Sequence, residues 1–248
     1  MKYFSLLLFT ALAFSSCKKD DVAEEPCSGT VNIETRATWE GAPLVIGDTY
    51  TNSFGHPIRV EMFKSYITGI KAISADGSAV SISDAELVNF ANANTWSVSL
   101  PAGNYTGLRF AIGVPADINT GTDPASYPND SPLSISGAQG MFWTWNSGYI
   151  FVKFEGKTAF DAEATILNQP YAFHIGTDNF YAEHEYAVDF TVGESAVNLD
   201  IVFEAEKFLN GTDDTINLQT DYITHTTDNL PLAGRFMDLY NAAISVSK

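Results

Sequence analysis

Hydrophobic and polar residues alternate with a period of two over many short stretches of the chain. Between Val31 and Thr35, for example, Asn32 and Glu34 alternate with residues that can face a core. Because successive side chains on a strand point to opposite faces, such runs predict half-buried β-strands. Further runs of this kind occupy residues 58–73, 96–100, 105–114, 149–155, 171–175, 186–192 and 197–204. The pattern predicts an all-β fold, an antiparallel β-sandwich.

The period changes near the end of the chain. Within residues 230–244, apolar side chains recur at helical spacing, at Leu232, Phe236, Leu239, Tyr240 and Ala243. This spacing predicts one short amphipathic C-terminal helix. Asp228 and Asn229 lie near its start, where side-chain oxygens can accept hydrogen bonds from unpaired backbone N–H groups. Residues 115–140, rich in Asp, Asn, Ser, Pro and Gly, are expected to form a long loop.

The N-terminus has the pattern of an export signal. Lys2 precedes a mostly apolar stretch over residues 3–14, and Ser15 and Ser16 stand directly before Cys17. This order is typical of a secretory signal that is cleaved ahead of the cysteine. The stretch is shorter than the roughly 20 residues of a membrane-spanning helix. It is similar to bacterial lipoprotein signals, in which that cysteine is lipidated, and the sequence CKKDD from Cys17 resembles the surface-export start of Bacteroidetes lipoproteins.

We therefore expect a signal peptide over residues 1–16, a lipidated N-terminus and flexible tether over residues 17–28, and a folded domain over residues 29–248. Acyl chains such as palmitate on Cys17 would hold the protein at a membrane without spanning it. The expected location is the cell envelope, as an outer-membrane lipoprotein that faces the periplasm or the cell surface. With Cys17 lipidated, Cys27 has no partner within the chain, so no disulfide framework is expected.

Composition narrows the classes of partner. The net charge is −17, and no cluster of Lys or Arg stands against it. Such a surface repels phosphate backbones, so nucleic acid is excluded as a partner. Residues of hydrophobic type make up 45% of the chain, enough to bury one large core.

The densest motif is GMFWTWNSGYIFVKFEG at residues 140–156. Together with FKSYITGI at 63–70, PAGNY at 101–105, FAIGV at 110–114 and FHIG at 173–176, it resembles the MbnP-like family of copper-associated periplasmic and lipoprotein domains. The similarity extends over most of residues 29–248. It implies a β-sandwich that binds copper through histidines and, in some members, an oxidised tryptophan. It also implies a redox or copper-handling partner protein. No histidine lies near Trp143 or Trp145 along this sequence, unlike relatives that place one there.

Four histidines supply the candidate metal ligands. Imidazole suits copper, and thiolates are scarce in this chain. His174 belongs to the FHIG string, where alternation puts it on the face opposite Phe173. His225 precedes the predicted helix, and His184 is a third candidate. His56, beside Pro57 in a turn, is interpreted as structural. For each candidate ligand the alternative is a histidine that is satisfied by protein hydrogen bonds or by solvent.

Trp143 and Trp145 stand two residues apart and would share one face of a strand. Three interpretations stay open for them: part of the aromatic core, a modified tryptophan near the metal, or a platform on which a sugar ring stacks. No nucleophile elbow, phosphate-binding loop or His-Glu-x-x-His motif is present. We expect a lipid-anchored protein that binds copper or a related metal ion and is not an enzyme. The alternative is a surface module that binds a glycan or a protein.

Overall fold

The computed structural model describes residues 27–143 and 148–248. Thirteen strands lie within them: β1 (Ser28–Trp39), β2 (Ala42–Pro43), β3 (Thr49–Thr51), β4 (Pro57–Ser74), β5 (Ala79–Asn89), β6 (Asn94–Pro101), β7 (Gly103–Ile112), β8 (Ile150–Thr158), β9 (Gln169–Gly176), β10 (Ala182–Val192), β11 (Val197–Glu204), β12 (Ile223–Thr224) and β13 (Ile244–Ser247). Two α-helices accompany these strands, α1 (Ala116–Asn119) and α2 (Leu230–Ala242). Short 3-10 turns occupy Pro124–Ser126, Asp178–Phe180 and Ala205–Phe208.

The strands form two sheets. The smaller sheet has the order β13-β11-β1-β2, and β6 also pairs with β1. The larger sheet has the order β10-β7-β4-β8-β9-β12, and β3 and β5 also pair with β4. The long strand β4 pairs with β8 through residues 58–65 and with β7 through residues 67–74. The large sheet therefore continues from β4 in two directions, one towards β10 and the other towards β9 and β12.

The expected all-β sandwich with a short C-terminal helix is confirmed. Its sheets are mixed rather than purely antiparallel, because β1 pairs with β11 and β12 with β9 in parallel. All eight strands predicted from alternation are present, and α2 begins and ends within residues 230–244. The side chain of Asn229 accepts a hydrogen bond from the Leu232 N–H at 3.3 Å, as expected for the start of this helix. The expected loop at residues 115–140 contains α1 and one 3-10 turn.

Aromatic side chains join the two sheets and α2 into one core. Phe63 of β4 stacks on Phe90 with ring centroids 3.9 Å apart, and it meets Phe203 of β11 edge to face at 6.1 Å. Phe173 of β9 stacks on Phe236 of α2 at 4.5 Å. Because aromatic burial contributes strongly to core stability, these contacts fix α2 against the inner face of β9. This places the start of α2 beside the edge of the large sheet.

The described part of the chain has no helix that is both long and apolar enough to cross a membrane. Cys17, the predicted signal peptide and Trp145 lie outside the described residues.

Candidate metal centre

Strand β9 presents His174 on the outer face of the large sheet. The flanking residues Phe173 and Ile175 are fully buried in the core, as strand alternation requires. The side chain of His174 points the other way and keeps 13% of its surface exposed. The prediction that His174 lies opposite Phe173 is confirmed by this arrangement. An imidazole in this position can bind a group that approaches from outside the sandwich.

Strand β8 supplies a carboxylate to His174. Lys153 pairs directly with His174 across the two strands, and Glu155 lies two residues further along β8 on the same face. Oε1 of Glu155 accepts a hydrogen bond from Nε2 of His174, and Nζ of Lys153 lies 3.4 Å from the same oxygen. The bond from His174, together with Lys153, lowers the pKa of Glu155 despite its partial burial. Glu155 is therefore an ionised acceptor that orients the His174 ring.

The turn between β12 and α2 holds His225 in a similar way. Nδ1 of His225 donates a hydrogen bond to Oδ2 of Asp228 at 2.9 Å, and its backbone N–H donates to Oδ1 at 2.7 Å. Desolvation alone would raise the pKa of Asp228, but these hydrogen bonds outweigh it and hold the pKa below its usual range. The Thr224 hydroxyl also donates to Oδ1 at 3.3 Å. Asp228 thus fixes both the turn and the orientation of the imidazole.

Thr226 ties this turn to β9. Its hydroxyl donates a hydrogen bond to the carbonyl of His174 and accepts one from the N–H of Gly176, both at 2.9 Å. Thr226 is buried, with a φ of 69°. This is an uncommon backbone region for a β-branched residue, and it persists where the surrounding contacts demand it. Beyond the end of β12, the Thr226 side chain therefore takes the place of a backbone hydrogen bond between strands. This brings His225 alongside His174.

The rings of His174 and His225 meet edge to face, with centroids 4.8 Å apart. Since a carboxylate only accepts hydrogen bonds, the ring nitrogen that faces it carries the hydrogen in a neutral imidazole. The other ring nitrogen, Nδ1 of His174 and Nε2 of His225, then carries the lone pair. A carboxylate on the distal nitrogen is the usual outer partner of a metal-bound histidine. Two such histidines side by side form the candidate metal centre.

Trp143 forms a wall of this centre. Its ring centroid lies 6.0 Å from that of His174 and 6.4 Å from that of His225. Trp143 is only 5% exposed, so its ring faces are covered by protein. The backbone N–H of Trp143 donates a hydrogen bond of 3.0 Å to the carbonyl of Gly148, next to an isolated bridge between Phe142 and Tyr149. The histidines that are distant from Trp143 in sequence are thus its neighbours in space.

Gly176 makes room for the indole of Trp143. A Cβ at this position would lie 2.5 Å from the carbonyl oxygen of Tyr149 and 3.0 Å from Nε1 of Trp143. Two buried tyrosines hold the preceding loop in place. The hydroxyl of Tyr66 donates to the carbonyl of Pro132 at 2.7 Å, and that of Tyr149 donates to the carbonyl of Leu133. The path of this loop therefore delivers Trp143 to β9.

The structure does not bring His184 to the other candidate ligands. His184 lies on β10, and β7, β4 and β8 separate that strand from β9. Its Nε2 lies 3.2 Å from Oδ1 of Asn241, near the end of α2, and burial lowers its pKa. His56 lies in a turn, where its ring contacts Phe54 and Phe160. Alternation along a strand indicates which face of the sheet a histidine lies on, but not which residues of other strands are its neighbours. Sequence alone therefore could not show that His184 lies apart from His174 and His225.

Sequence reasoning missed the groups that support the pair. Glu155 was visible only as part of the motif at residues 140–156, and Asp228 was interpreted as a helix cap. The spacing of three between His225 and Asp228 is the one signal that could have suggested their contact. Within residues 27–143 and 148–248, no three His, Cys, Asp or Glu side chains converge as a ready set of ligands. The centre is thus a pair of imidazoles beside Trp143.

The fold is thus a β-sandwich that brings two carboxylate-oriented histidines together beside Trp143. This chain belongs to the MbnP family, whose model matches residues 28–227. A solved structure with a similar fold is MbnP from Methylosinus trichosporium. It is 17% identical, the match covers 76% of this chain and 80% of that chain, and the TM-score is 0.50. No match was found among curated proteins.

Proposed function

We propose that this protein binds copper, or a related metal ion that imidazole favours, at His174 and His225, without catalysing a reaction. The observation that carries the proposal is the ring pair 4.8 Å apart in which each imidazole has a carboxylate on one nitrogen. Imidazole nitrogen is a good ligand for copper, zinc and nickel. Membership of the MbnP family supports copper among these.

The residues at the centre fit such an ion. Nδ1 of His174 and Nε2 of His225 would hold it, while Glu155 and Asp228 keep each ring in the required tautomer. His225 keeps 32% of its side chain exposed, so an ion can reach the pair from solvent. Trp143 would shield one side of the ion. A modified Trp143 would add a ligand here, which intact mass of the native protein would reveal.

A titration with copper tests this proposal. The protein is best purified with Cys17 and Cys27 replaced by serine, because the exposed thiol of Cys27 would compete for the metal. We expect one copper ion per chain, and loss of that binding in His174→Ala and in His225→Ala. The matched control is His184→Ala, which removes an imidazole remote from the centre and is expected to bind as the parent does. Equal binding by all four proteins would overturn the assignment.

We also propose that the protein is exported and held at the cell envelope by lipid on Cys17, where it meets a copper-handling or redox partner protein. The signal pattern over residues 1–16 supports export and anchoring. Fractionation of cells that express the parent or Cys17→Ser tests the anchor. The parent should follow the membranes, and the variant should be released or remain uncleaved. A variant that stays in the membrane fraction after cleavage would contradict it.

A second candidate function is the binding of a glycan or a protein surface, and one patch favours it. Phe54 and Phe160 are 45% and 39% exposed, and the ring of His56 lies between them at 6.4 and 5.9 Å. Exposed aromatic rings are typical of sugar-stacking and protein-docking surfaces. A glycan array with the parent and a Phe54→Ala/Phe160→Ala double variant tests it. Absence of any signal from the parent would count against a glycan ligand.

A further inference from the structure

A groove lies beside the C-terminal end of α2, and we call it the α2 groove. It consists of two adjoining cavities of about 330 and 320 Å³, which share Gly211, Thr212, Leu239 and Ala242 in their linings. Volumes of this size are typical of sites that bury a small molecule. Because α2 has 13 residues and a helix rises about 1.5 Å per residue, about 20 Å separate this groove from the turn that carries His225. The groove is therefore separate from the candidate metal centre.

One wall of the α2 groove is a short hairpin over residues 209–216 that is fixed to the helix. The N–H of Gly211 donates a hydrogen bond of 3.0 Å to the carbonyl of Asp214 and so closes the turn. Arg235 of α2 binds Asp214 through two nitrogens, at 2.6 and 2.9 Å. A Cβ at Gly211 would lie 2.4 Å from Cδ2 of Leu239, so the backbone of the turn packs directly against this side chain. The groove is therefore already formed before a ligand arrives.

The lining of the α2 groove is apolar at its base and acidic at its rim. Leu239 and Ala242 supply apolar surface, and the exposed residues Asp213 and Asp238 supply carboxylates to the second cavity. Asp214 lines the same cavity, but Arg235 neutralises it. Among the ion pairs within residues 27–143 and 148–248, none involves Asp213 or Asp238. Two carboxylates at this rim thus keep an uncompensated negative charge.

The end of α2 adds to the negative potential of the groove. Residues 239–242, the last turn of the helix, include no Lys, Arg or His. The carbonyl groups at a helix C-terminus carry a partial negative charge that a nearby cation stabilises. Lys207 lines the first cavity, but it forms an ion pair with Glu204. The α2 groove therefore favours a positively charged ligand over an anion.

We propose that the α2 groove binds a small amphipathic amine, a molecule with an apolar body and one ammonium group. The apolar body lies on Leu239 and Ala242, and the ammonium group lies near Asp213, Asp238 and the end of α2. Complementary charge favours this ligand over a neutral or anionic molecule of the same shape. The site needs neither a metal ion nor the His174–His225 pair, so it is independent of the proposed function.

Three probes that share a six-carbon body and differ in charge test this site: hexylamine, 1-hexanol and hexanoate. Each is titrated into isotope-labelled protein with Cys17 and Cys27 replaced by serine, and binding is followed by NMR. We expect hexylamine to shift the amide signals of Gly211, Thr212 and Ala242. We also expect it to bind about tenfold more tightly than 1-hexanol, because the rim carboxylates and the helix end each add a modest attraction. Hexanoate should bind more weakly than either.

Two variants examine the rim and the base of the groove. Asp213→Asn should weaken hexylamine binding about threefold and leave 1-hexanol binding unchanged. Its matched control is Asp84→Asn, which makes the same change in net charge at an exposed position of β5. Ala242→Leu fills space that both cavities share and should abolish the binding of hexylamine and 1-hexanol. Leucine is a good helix former, so α2 is expected to persist, and thermal unfolding shows whether each variant is folded.

Four results would overturn the assignment of an amine site. They are a parent that does not bind hexylamine at the α2 groove, equal binding of the three probes, unchanged hexylamine binding in Asp213→Asn, and unchanged binding in a folded Ala242→Leu. A loss in Asp84→Asn as large as that in Asp213→Asn would also show that only net charge matters. None of these results bears on copper binding, which His174→Ala and His225→Ala test separately.

Discussion

The hydroxyl of Thr226 donates a hydrogen bond of 2.9 Å to the backbone carbonyl of His174. The hydroxyl oxygen of Thr226 also accepts a hydrogen bond of 2.9 Å from the N–H of Gly176. One side chain thus joins the turn that carries His225 to the strand that carries His174. The two candidate ligands come from elements about 50 residues apart in sequence, and this bond adds to the β12–β9 pairing that holds them together.

Thr226→Val is expected to weaken metal binding about tenfold by loosening His225 from its partner. Two buried backbone groups lose their hydrogen bond, so the free energy of unfolding should fall by about 1–3 kcal/mol. Thr226→Ser keeps the hydroxyl and should restore most of both. Copper titration and chemical denaturation provide the measurements. Equal metal affinity for the valine and serine variants would show that the bond does not position His225.

Asp228→Asn tests the role of the carboxylate on His225. Asparagine can still accept a hydrogen bond, but it lacks the charge that orients the ring and raises its basicity. We expect metal affinity to fall by about 10–100-fold, the usual effect of losing such an outer partner. Asp238→Asn, on an exposed position of α2, makes the same change in net charge away from the centre. If both variants lose the same affinity, Asp228 has no specific role.

Gly176→Ala and Gly234→Ala should change stability in opposite directions. A methyl group at Gly176 would collide with the Tyr149 carbonyl and press on Trp143, so we expect a loss of about 1–3 kcal/mol. Gly234 lies within α2 with open space around its Cβ position, so alanine should add about 0.5–1 kcal/mol. Denaturation curves measure both. A neutral Gly176→Ala would contradict the close packing of Trp143 on β9.

Arg235 should give stability that depends on pH. It binds Asp214 through two nitrogens at 2.6 and 2.9 Å, and Asp221 at 3.0 Å. The bond from Arg235 lowers the pKa of Asp214 in the folded state. The pKa of the unfolded-state aspartate is about 3.9, so the ionised Asp214 stabilises the folded state at pH values above about 3.9. That contribution disappears as the pH falls through the lowered pKa of the folded state.

In Arg235→Met we therefore expect a loss of about 1 kcal/mol at pH 7, small because the pair is partly exposed. The difference from the parent should shrink as the pH falls below about 4 and when salt is raised. Unfolding curves over a range of pH measure this. Arg235→Lys keeps the positive charge but loses the two-nitrogen contact with Asp214. Its free energy of unfolding should therefore lie between those of the parent and Arg235→Met. A difference that grows towards acid pH would contradict the sign.

Much of the fold could be predicted from the sequence because its strands alternate cleanly. In β11, for instance, buried residues alternate with exposed or half-buried ones, and in β10 half-buried or buried residues alternate with exposed ones. Strand β5 was missed because both of its faces are mostly half-exposed and Ser81, Ser83 and Asp84 interrupt any apolar period. The two-residue strand β12 and the four-residue strand β13 are too short to show a period. Whether two strands pair in parallel depends on how the connecting segments place them in the sheet. The alternation of apolar and polar residues does not record this.

The candidate site could be predicted only in part, because alternation does not record how distant segments meet. Alternation placed His174 on the outer face, but its meeting with His225 depends on the register of β12 and on Thr226. Trp143 reaches both histidines because buried tyrosines fix the loop before it. These are contacts between distant segments, which residue spacing along the chain does not encode. His184 shares the residue type of the pair but not its position.

Diffraction from crystals soaked with copper, recorded at the copper absorption edge, tests the central claim most directly. We expect one anomalous peak within bonding distance of Nδ1 of His174 and Nε2 of His225, and no peak there in crystals of His225→Ala. A peak at His184 or His56, or no peak at the His174–His225 pair under saturating copper, would contradict it.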